Sequence, residues 1–541
     1  MCSFVAGAAA ASLVLWGVAD ASSGASPKRL VGVGRNGELV YGADAQGNCI
    51  PDFSHCGYMG GGVAIPDAPV KRTLAPVSGT GDDTARIQAE IDAVAALPPD
   101  EKTGLRGAVL LKRGVYRVSG TLRIAASGVV LRGEGQHLQG TLLAATGTDK
   151  RSLIVVQGPS GPRDAGGKHD KVVDAYVPVG ARSFALESTD GLKVGDGVFV
   201  RRHGNAKWIH EIGMDRIESR PEYPASTKQW EPFSLDFERA ITAIDGPRVT
   251  VDVPIVCAIE AQWGGGEVFV HNGGDRIEQV GIEHLRCHSQ FNERVTDSEG
   301  GPTYPADEDH CETLISMDNV ANAWVRNVTA KYLSHACVNL GRGCTFVTAQ
   351  DSACLAMVSK LTGGRRSVFS IAGQMCLVQR CYTSTARHGF AVDSRVCGPN
   401  AFVDCLAADE HGSSEPHHCW SVGGLFDNVR ADIAIQDRQY WGSGHGWAGA
   451  NYVVWNCEGK LVCQKPPTAQ NYAIGFVGTK DGGAWPRPDG HWESTGRHVQ
   501  PRSLYYTQLR NRLGLKAVQQ VAAPAQFRGP IYTILAGTLS K

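Results

Sequence analysis

The sequence predicts an all-β solenoid, a coil in which short strands stack as successive rungs. One strand pattern recurs along the chain as WVRNV, CLVQRC, AFVDC, LFDNV and VVWNC. Its last position is occupied by Cys381, Cys405, Val429 and Cys457, at spacings of 24, 24 and 28 residues. A period of this length fits one rung of a solenoid with turns of variable length. The 66 glycines also suit a fold with many turns.

The predicted coil opens on a helix and several short strands. GTGDDTARIQAEIDAVAAL places Ile87, Ile91 and Val94 at helical spacing, after an Asp-Asp-Thr sequence suited to an N-cap. Four short strands separated by glycine or serine follow, at 109–111, 115–118, 122–124 and 129–132. Strands this short and this evenly interrupted indicate successive sides of a coil rather than hairpins.

This opening also carries a family resemblance. The DDT…I…I helix, followed by G-x-V-x-L-x-x-G-x-Y-x-V, L-x-I and V-x-L-x-G-x-G, resembles the N-terminal cap and first coils of the pectate-lyase/pectin-lyase-like superfamily. The resemblance covers residues 79–135 and implies a right-handed parallel β-helix with an N-terminal capping helix. It does not imply a substrate, because the same opening serves lyases, hydrolases, epimerases and phage tailspikes.

Two segments depart from the rung pattern. SFALESTDGLKVGDGVFVRR and AITAIDGPRVTVDVPI indicate antiparallel strands with Asp-Gly turns, hence an inserted β-subdomain whose polar loop at 208–232 is long enough to be functional. RSLYYTQLRNRLGLKAVQQV predicts a helix that caps the open end of the coil or packs along its side. The predicted order is an N-terminal extension at 22–78, first coils at 79–174, the insertion at 175–256, the main β-helix with its groove at 257–500 and a C-terminal helical cap at 501–541.

The N-terminus predicts export. An apolar run at 4–18 precedes Ala19-Asp20-Ala21, a pattern typical of a secretory signal. We therefore expect a signal peptide at 1–21 and a secreted or periplasmic protein; the alternative is a buried N-terminal helix. No other segment is long enough to cross a membrane, so no integral membrane association is expected. The balance of 53 Lys+Arg against 54 Asp+Glu gives no general attraction to nucleic acid.

The cysteines predict buried thiols. Removal of Cys2 with the signal leaves 15 of 16, an odd number that cannot pair completely. Cys49 and Cys56 are close enough in sequence for a disulfide. Most others lie in apolar strand-like runs, where a thiol behaves as a small hydrophobe. Cys381, Cys405 and Cys457 are therefore predicted to be buried, stacked and unpaired.

Histidine or arginine immediately precedes several predicted strands, most visibly in EPHHCWSV at 415–422. Alignment of whole strand patterns predicts a column facing a groove that the loop at 208–232 partly covers. The column is His310, His335, Arg366, His388 and His418, with Arg365, Arg387 and His417 beside it. A rival register, counted from the cysteine ladder, aligns Asp393, His417 and Trp441 instead. Stacked cations repel one another, so the column requires an anionic partner or neutral imidazoles; the alternative is a row of solvated turn residues.

An anionic polysaccharide is the partner that this column predicts. β-Elimination on a uronic acid needs a cation for the carboxylate, a base for the neighbouring proton and an acid for the leaving oxygen. Arg366 or Arg387 suits the first role, and His388 or His418 suits the base. The further catalytic candidates are His335, His417, Asp393, Arg395 and His411. The substrate-binding candidates are His310, Arg365, Arg438, Tyr440, Trp441 and His445, with Trp447 as a further stacking ring and Trp420 as core.

A secreted polysaccharide lyase is therefore the first hypothesis, and two others stay open. An inverting glycoside hydrolase needs two carboxylates roughly 6.5–9.5 Å apart, which Asp393, Asp409, Glu410 and Asp437 would supply from adjacent turns. GHG at 444–446 is similar to a polygalacturonase motif, but its companion motifs are absent. The third hypothesis is a non-catalytic carbohydrate-binding or tailspike-like adhesin. The acidic cluster at 307–310 would suit calcium, although its spacing matches no defined loop.

Overall fold

The computed structural model describes residues 30–77 and 79–539, and its framework is a right-handed parallel β-helix. This confirms the predicted fold class. The proposed signal peptide at 1–21 lies outside the described residues. Within the described part of the chain, none of the helices combines the length and the apolar character needed to span a membrane.

The first coils follow the predicted order. The helix Thr84–Ala95 buries Ile87, Ile91 and Val94 against the first rungs, which closes that end of the hydrophobic core. The four predicted short strands are present as Gly107–Leu111, Gly114–Val118, Leu122–Ile124 and Val129–Gly133.

The largest sheet runs along the whole coil and its strand pairs are parallel. Besides three of the opening strands, it contains Val70–Leu74, Thr141–Ala145, Ile277–Glu278, Gly281–Ser289, Val320–Lys331, Thr345–Gln350, Ala353–Leu355, Leu377–Gln379, Tyr382–Ser384, Cys397–Val403, Leu406–Ala408, Ser421–Asp427, Arg430–Ile435, Gly449–Ala450, Val453–Trp455, Glu458–Cys463, Tyr472–Ile474, Val477–Asp481 and His491–Glu493.

The cysteine ladder is confirmed by the register of this sheet. Gln379 pairs with Val403, Val403 with Asp427 and Asp427 with Trp455. Two residues further on, the same register stacks Cys381, Cys405, Val429 and Cys457, all of them buried. All three cysteines are free thiols. They fill the interior of the coil as small apolar side chains do.

The proposed Cys49–Cys56 disulfide is wrong, because both thiols are free. The Cys49 thiol contacts the Val179 carbonyl at 3.7 Å, whereas Cys56 is buried in a separate apolar cluster with Leu377. Proximity in sequence therefore does not bring the two sulfur atoms together, because each belongs to a different packing interface.

The inserted subdomain is a six-stranded antiparallel sheet with its own core. Its strands are Asp170–Lys171, Ser183–Ala185, Gly197–His203, Ser234–Asp245, Arg248–Val251 and Gly266–Val270, so the sheet begins before and ends after the predicted 175–256. The predicted long loop contains the end of a short helix, Ala206–Glu211. Trp208 of this helix meets Trp420 edge to face at 5.0 Å between ring centroids, and Trp420 is buried as predicted.

The C-terminal helices pack along the side of the coil, which decides between the two predicted positions. They span Leu504–Leu513, Leu515–Val521 and Tyr532–Leu539. Leu509 packs in a cluster with Trp455, and Tyr532 packs in a cluster with Leu406.

A second parallel sheet, which we call the groove sheet, forms another side of the coil. In chain order its strands are Leu122–Ile124, Arg151–Gln157, Cys311–Asp318, Ala336–Leu340, Ser367–Ile371, His388–Val392 and Glu415–Pro416. Each strand is added beside the preceding one, so the sheet lengthens by about 4.8 Å per rung along the axis of the coil.

Candidate active site

A groove of about 1540 Å³ lies over the last strands of the groove sheet. Strand residues such as Ser370 and Ala391 form its floor, and turn residues of successive rungs form its walls. Arg220, from the predicted covering loop, lines the same groove. A groove that crosses several rungs suits an extended polymer better than a compact small molecule.

The predicted His/Arg column is wrong in register. Ser367 pairs with His388, which aligns Arg366 with Arg387 rather than with His388. Val392 pairs with Pro416, which aligns Asp393 with His417. The rival register therefore holds for Asp393 and His417, although it does not extend to Trp441.

The error has a local cause in EPHHCWSV. The strand Glu415–Pro416 ends before His417, so the two histidines follow one strand instead of introducing the next. Cys419 and Trp420 then adopt positive φ values of 54° and 57°, which turn the chain into Ser421–Asp427 on another side of the coil. Two non-glycine residues in the left-handed region are uncommon, and the pattern of apolar letters does not reveal them.

Two members of the predicted column point away from the groove. The guanidinium of Arg366 is buried and donates to the carbonyls of Ser359 and Thr385. His310 is also buried, with Nδ1 2.9 Å from Ser289 Oγ and Nε2 3.0 Å from the Val358 carbonyl. Both side chains form hydrogen bonds to backbone carbonyl and hydroxyl groups of the turns, and neither lines the groove.

Three further predicted residues lie outside the groove lining. Arg395 stacks on the ring of Phe233 at 4.2 Å. Tyr440 packs edge to face against Trp485. Trp447 is buried, and its Nε1 donates to the Ile212 carbonyl, so it joins the coil to the inserted subdomain instead of meeting a sugar.

The remaining predicted residues share one groove despite the register error. They are His335, Arg365, Arg387, His388, Asp393, His411, His417, His418, Arg438, Trp441 and His445. Their convergence is a consequence of the parallel rungs, because turns of the same side stack whatever their exact alignment.

Glu415 is the centre of this site and was missed by the sequence reasoning. Its Oε1 lies 2.6 Å from Arg438 Nη1, 3.0 Å from His417 Nδ1 and 3.2 Å from His388 Nδ1. Ser413 Oγ donates to Oε2 at 2.8 Å. Burial alone would raise the pKa of Glu415, but Arg438 and the two histidines outweigh it and hold the pKa below its ordinary value. Glu415 is therefore a buried, ionised carboxylate.

The hydrogen bonds assign the proton on His417. Arg438 Nη1 has two N–H bonds, and it donates to Glu415 Oε1 and to the His417 carbonyl. Its approach to His417 Nδ1, 2.9 Å, is then not a third donation. Nδ1 of His417 therefore carries a proton and donates to Glu415. The His417 side chain is 20% exposed, so its other ring nitrogen, Nε2, is available to the groove.

His388 is held in the same tautomer but is more deeply buried. Its Nδ1 lies 2.7 Å from the Ser413 carbonyl, which requires a proton on Nδ1. Nε2 has no hydrogen-bond partner among the described residues. Burial lowers the pKa of His388 to about 3, so the ring is neutral at ordinary pH.

His418 and His445 complete a cluster of neutral imidazoles around His417. The three ring centroids lie 4.8–5.1 Å apart. Burial lowers the pKa of His418 to about 4 and that of His445 to about 2, and neighbouring cations act in the same direction. Neutral rings remove the repulsion that a stack of charged side chains would suffer.

His388, Glu415 and His417 also offer three potential metal ligands within 4.8 Å of one another. Two imidazoles and a carboxylate suit a transition metal. However, Arg438 Nη1 already lies 2.6 Å from Glu415 Oε1 and 2.9 Å from His417 Nδ1, in the middle of this set. The guanidinium thus supplies the positive charge that a metal would bring, and the set does not fit a metal with Arg438 in place.

The acidic cluster at 307–310 likewise has other partners. The carboxylate of Asp307 accepts from the backbone N–H groups of Asn292 and Asp309. Glu308 pairs with Arg365 and with Lys150. These carboxylates therefore stabilise turns and neighbouring cations, and they do not converge into the oxygen cage that calcium prefers.

Glu410 is a second groove carboxyl group with an unusual environment. Its oxygens accept from the Gly389 and Asp432 N–H groups and from Ser414 Oγ. Burial nevertheless dominates and raises the pKa of Glu410 to about 8. At neutral pH this group therefore holds a proton, unlike Glu415.

Most cations that line the groove are already neutralised. The ion pairs are Arg220–Glu222, Arg365–Glu308, Arg438–Glu415 and Lys460–Asp481. Arg387 lines the groove with no ion-pair partner in the described part of the chain, and it donates to the Gly363 carbonyl. Arg387 is thus the groove guanidinium that remains free for an anionic ligand.

No protein-family model and no curated protein matches this chain. Among solved structures, it is similar to the tailspike gp49 from Pseudomonas phage LKA1 at 13% identity and a TM-score of 0.43, over 73% of this chain and 57% of that one. It is also similar to the gp54 tailspike of Acinetobacter baumannii bacteriophage AP22, solved with a capsular saccharide. The identity is 8% and the TM-score 0.41, over 74% of this chain and 56% of that one. For alginate lyase from Paenibacillus sp. str. FPU-7, the identity is 8% and the TM-score 0.31, over 79% of this chain and 99% of that one. The chain spans little more than half the length of the two tailspikes, so its function is inferred from its own groove.

Proposed function

We propose that this protein is a carbohydrate-active enzyme, a lyase that cleaves a uronate-containing polysaccharide by β-elimination. The observation that carries the proposal is the Glu415–His417 pair, in which a buried carboxylate accepts a hydrogen bond from Nδ1 of an imidazole whose Nε2 is available to the groove. A polysaccharide outside the cytoplasm as substrate agrees with the predicted export of the chain.

His417 acts as the base in this mechanism. Nε2 takes the proton from the sugar carbon next to the carboxylate, and those electrons form a carbon–carbon double bond. The bond to the glycosidic oxygen breaks, and its electron pair leaves with that oxygen. Glu415 stabilises the imidazolium that forms, as a carboxylate behind a catalytic histidine does.

Arg387 neutralises the substrate carboxylate. Proton removal next to a carboxylate builds negative charge on its oxygens, and a guanidinium within hydrogen-bond reach stabilises that charge. Arg387 precedes His388 directly, one rung before Glu415, and has no carboxylate of its own to pair with among the described residues. This is the role for which the sequence suggested Arg366 or Arg387, and only Arg387 lines the groove.

Glu410 supplies the proton for the leaving oxygen. Departure of a sugar as an alcohol needs an acid that is still protonated at the working pH. Glu410 meets this requirement because burial raises its pKa to about 8. It lies in the turn between the strands Leu406–Ala408 and Glu415–Pro416, which leads into the strand before the base, and it lines the same groove.

Glu410 also favours a second candidate, a glycoside hydrolase on the same scaffold. An inverting hydrolase needs one protonated and one ionised carboxyl group facing the scissile bond. Glu410 is the protonated candidate, and Asp393, which also lines the groove, is the candidate for the second carboxyl group. In this reaction water attacks the sugar and no double bond forms.

A screen of anionic polysaccharides tests the proposal. Lyase activity yields an unsaturated product that absorbs in the ultraviolet, in step with new reducing ends. New reducing ends without that absorbance would identify the hydrolase, and binding without cleavage would leave an adhesin. The His417→Ala protein is the matched control, since a contaminating enzyme would survive this substitution.

A further inference from the structure

Two tryptophans form an aromatic platform at one end of the groove. Trp441 and Trp485 meet at 4.9 Å between ring centroids and 70° between planes, and Tyr440 supports Trp485 from behind at 5.1 Å. Trp441 is 38% exposed and lines the groove, whereas Trp485 packs against it from outside the groove lining. Cζ of Arg438 lies 5.5 Å from the centroid of the Trp441 ring. The exposed part of this ring in a polar groove is suited to the apolar face of a ligand.

The register places this platform beyond the base. Val392 pairs with Pro416, and Ser414 bridges to Ile433 on the following rung, which leads into the loop that carries Trp441. Arg387 lies one rung before His417, and the Trp441 loop lies one rung after it. With about 4.8 Å per rung, the free cation and the platform are roughly 10 Å apart along the axis.

The charges differ between these two ends. The cations near the platform are paired, Arg438 with Glu415 and Lys460 with Asp481. Asp432, on the rung of the platform, lines the groove without an ion-pair partner in the described residues. A sugar carboxylate is therefore favoured at Arg387 and disfavoured at the platform, because like charges repel at short range.

The inserted subdomain holds the platform loop in place. Trp230 Nε1 donates to the Gly444 carbonyl at 2.9 Å, and Lys228 N donates to the Ser443 carbonyl at 3.0 Å. Gly444 has a φ of +96°, and a Cβ there would lie 2.4 Å from the Lys228 carbonyl oxygen. Such a fixed loop lowers the entropy cost of ligand binding.

From these contacts we infer that Trp441, packed against Trp485, binds a neutral sugar of a chain whose acidic sugar binds at Arg387. The substrate class is thus a heteropolysaccharide that contains both uronate and neutral units, not a homopolyuronate. This inference rests on the proposed function for the position of the scissile bond. The subsite itself requires only that the groove bind saccharide.

Binding measurements on the His417→Ala protein, which keeps substrate intact, test the inference. The probes are hyaluronan and gellan as heteropolysaccharides, and alginate and polygalacturonate as homopolyuronates. We expect tighter binding of a heteropolysaccharide, an increase of about tenfold in its Kd on Trp441→Ala, and quenching of tryptophan fluorescence that this substitution reduces. Phe527→Ala, at a 53% exposed aromatic residue outside the groove lining, is the matched control and should leave the Kd unchanged.

The outcomes separate this inference from the proposed function. Tighter binding of both homopolyuronates, or an unchanged Kd in Trp441→Ala, would overturn the neutral-sugar subsite while leaving the lyase proposal intact. Heteropolysaccharide binding that depends on Trp441, without any ultraviolet-absorbing product from the wild-type protein, would support the subsite and overturn the lyase. Binding of none of the four polymers would overturn both.

Discussion

Nδ1 of His417 lies 3.0 Å from Oε1 of Glu415, two residues earlier in the chain. Residues i and i+2 of an extended segment lie on the same face, so both side chains reach the groove side of the coil. The contact determines which imidazole nitrogen carries the proton and leaves the other one to act as a base.

Glu415→Gln should destabilise the fold. The substitution leaves the guanidinium of Arg438, which is 4% exposed, without its buried counter-charge. Loss of one partner from a buried pair costs about 3–5 kcal/mol in the free energy of unfolding. Urea unfolding followed by tryptophan fluorescence measures the change.

The control for that measurement is Asp489→Asn, which breaks an exposed pair with Lys480. Exposed pairs contribute about 0–1 kcal/mol, so this protein should unfold close to the wild-type midpoint. Equal losses in the two variants would show that Glu415 is not the counter-charge of a buried cation.

The fold was predictable because its signals are periodic. Cys381, Cys405 and Cys457 recur at one position of a repeated strand, and burial follows from that position whatever the turns do. The site was less predictable, because turns of unequal length shift the register between rungs. Arg366 precedes a strand as Arg387 does, yet its guanidinium turns inward and donates to the Ser359 carbonyl. The sequence pattern does not predict this difference in orientation. Glu415 gives no such signal, because it lies in a two-residue strand between a polar turn and Pro416, where the residue pattern does not indicate a strand.

As the pH is lowered, the free energy of unfolding should begin to decrease at a higher pH than protonation of carboxylates alone would cause. Burial lowers the pKa of His388, His418 and His445 to about 3, 4 and 2, from about 6.5 in an unfolded chain. The unfolded chain therefore takes up these protons first. Their contribution is complete above about pH 6.5 and is lost as the pH falls towards the folded-state values, by up to about 1.4 kcal/mol per pH unit for each group.

The thermal midpoint between pH 7.5 and 4.5 measures this effect. His445→Gln removes one of the three groups and should make the decline shallower than in the wild-type protein. Identical slopes in the two proteins would contradict neutral, buried imidazoles in the groove.

Thiol titration should distinguish the buried ladder from a disulfide framework. Fifteen cysteines are free in the described residues, and burial raises the pKa of the Cys381 and Cys457 thiols. We expect almost no reaction with a thiol reagent in the native protein, and at least fifteen reactive thiols after denaturation without reductant. A denatured count near one would instead indicate a largely disulfide-bonded chain.

Arg387→Met should weaken binding of an anionic polysaccharide. The substitution removes the guanidinium that remains free in the groove, and a charge-assisted hydrogen bond contributes about 1.5–3 kcal/mol, or roughly ten- to a hundredfold in Kd. The loss should shrink at high salt, since screening already weakens the wild-type contact. Arg497→Met, at an exposed arginine outside the groove lining, is the control; an equal loss there would show nonspecific attraction.

The most direct test of the central claim is the rate of ultraviolet-absorbing product formation by folded His417→Ala on a confirmed uronate polysaccharide. Removal of a general base costs about 10²–10⁴-fold in rate, and we predict a loss in that range. His411→Ala, at an exposed histidine that lines the same groove, should keep a rate within a fewfold of the wild-type protein. A near-normal rate in His417→Ala would contradict the role of His417 as the catalytic base and would show that other groups in the groove carry out the reaction.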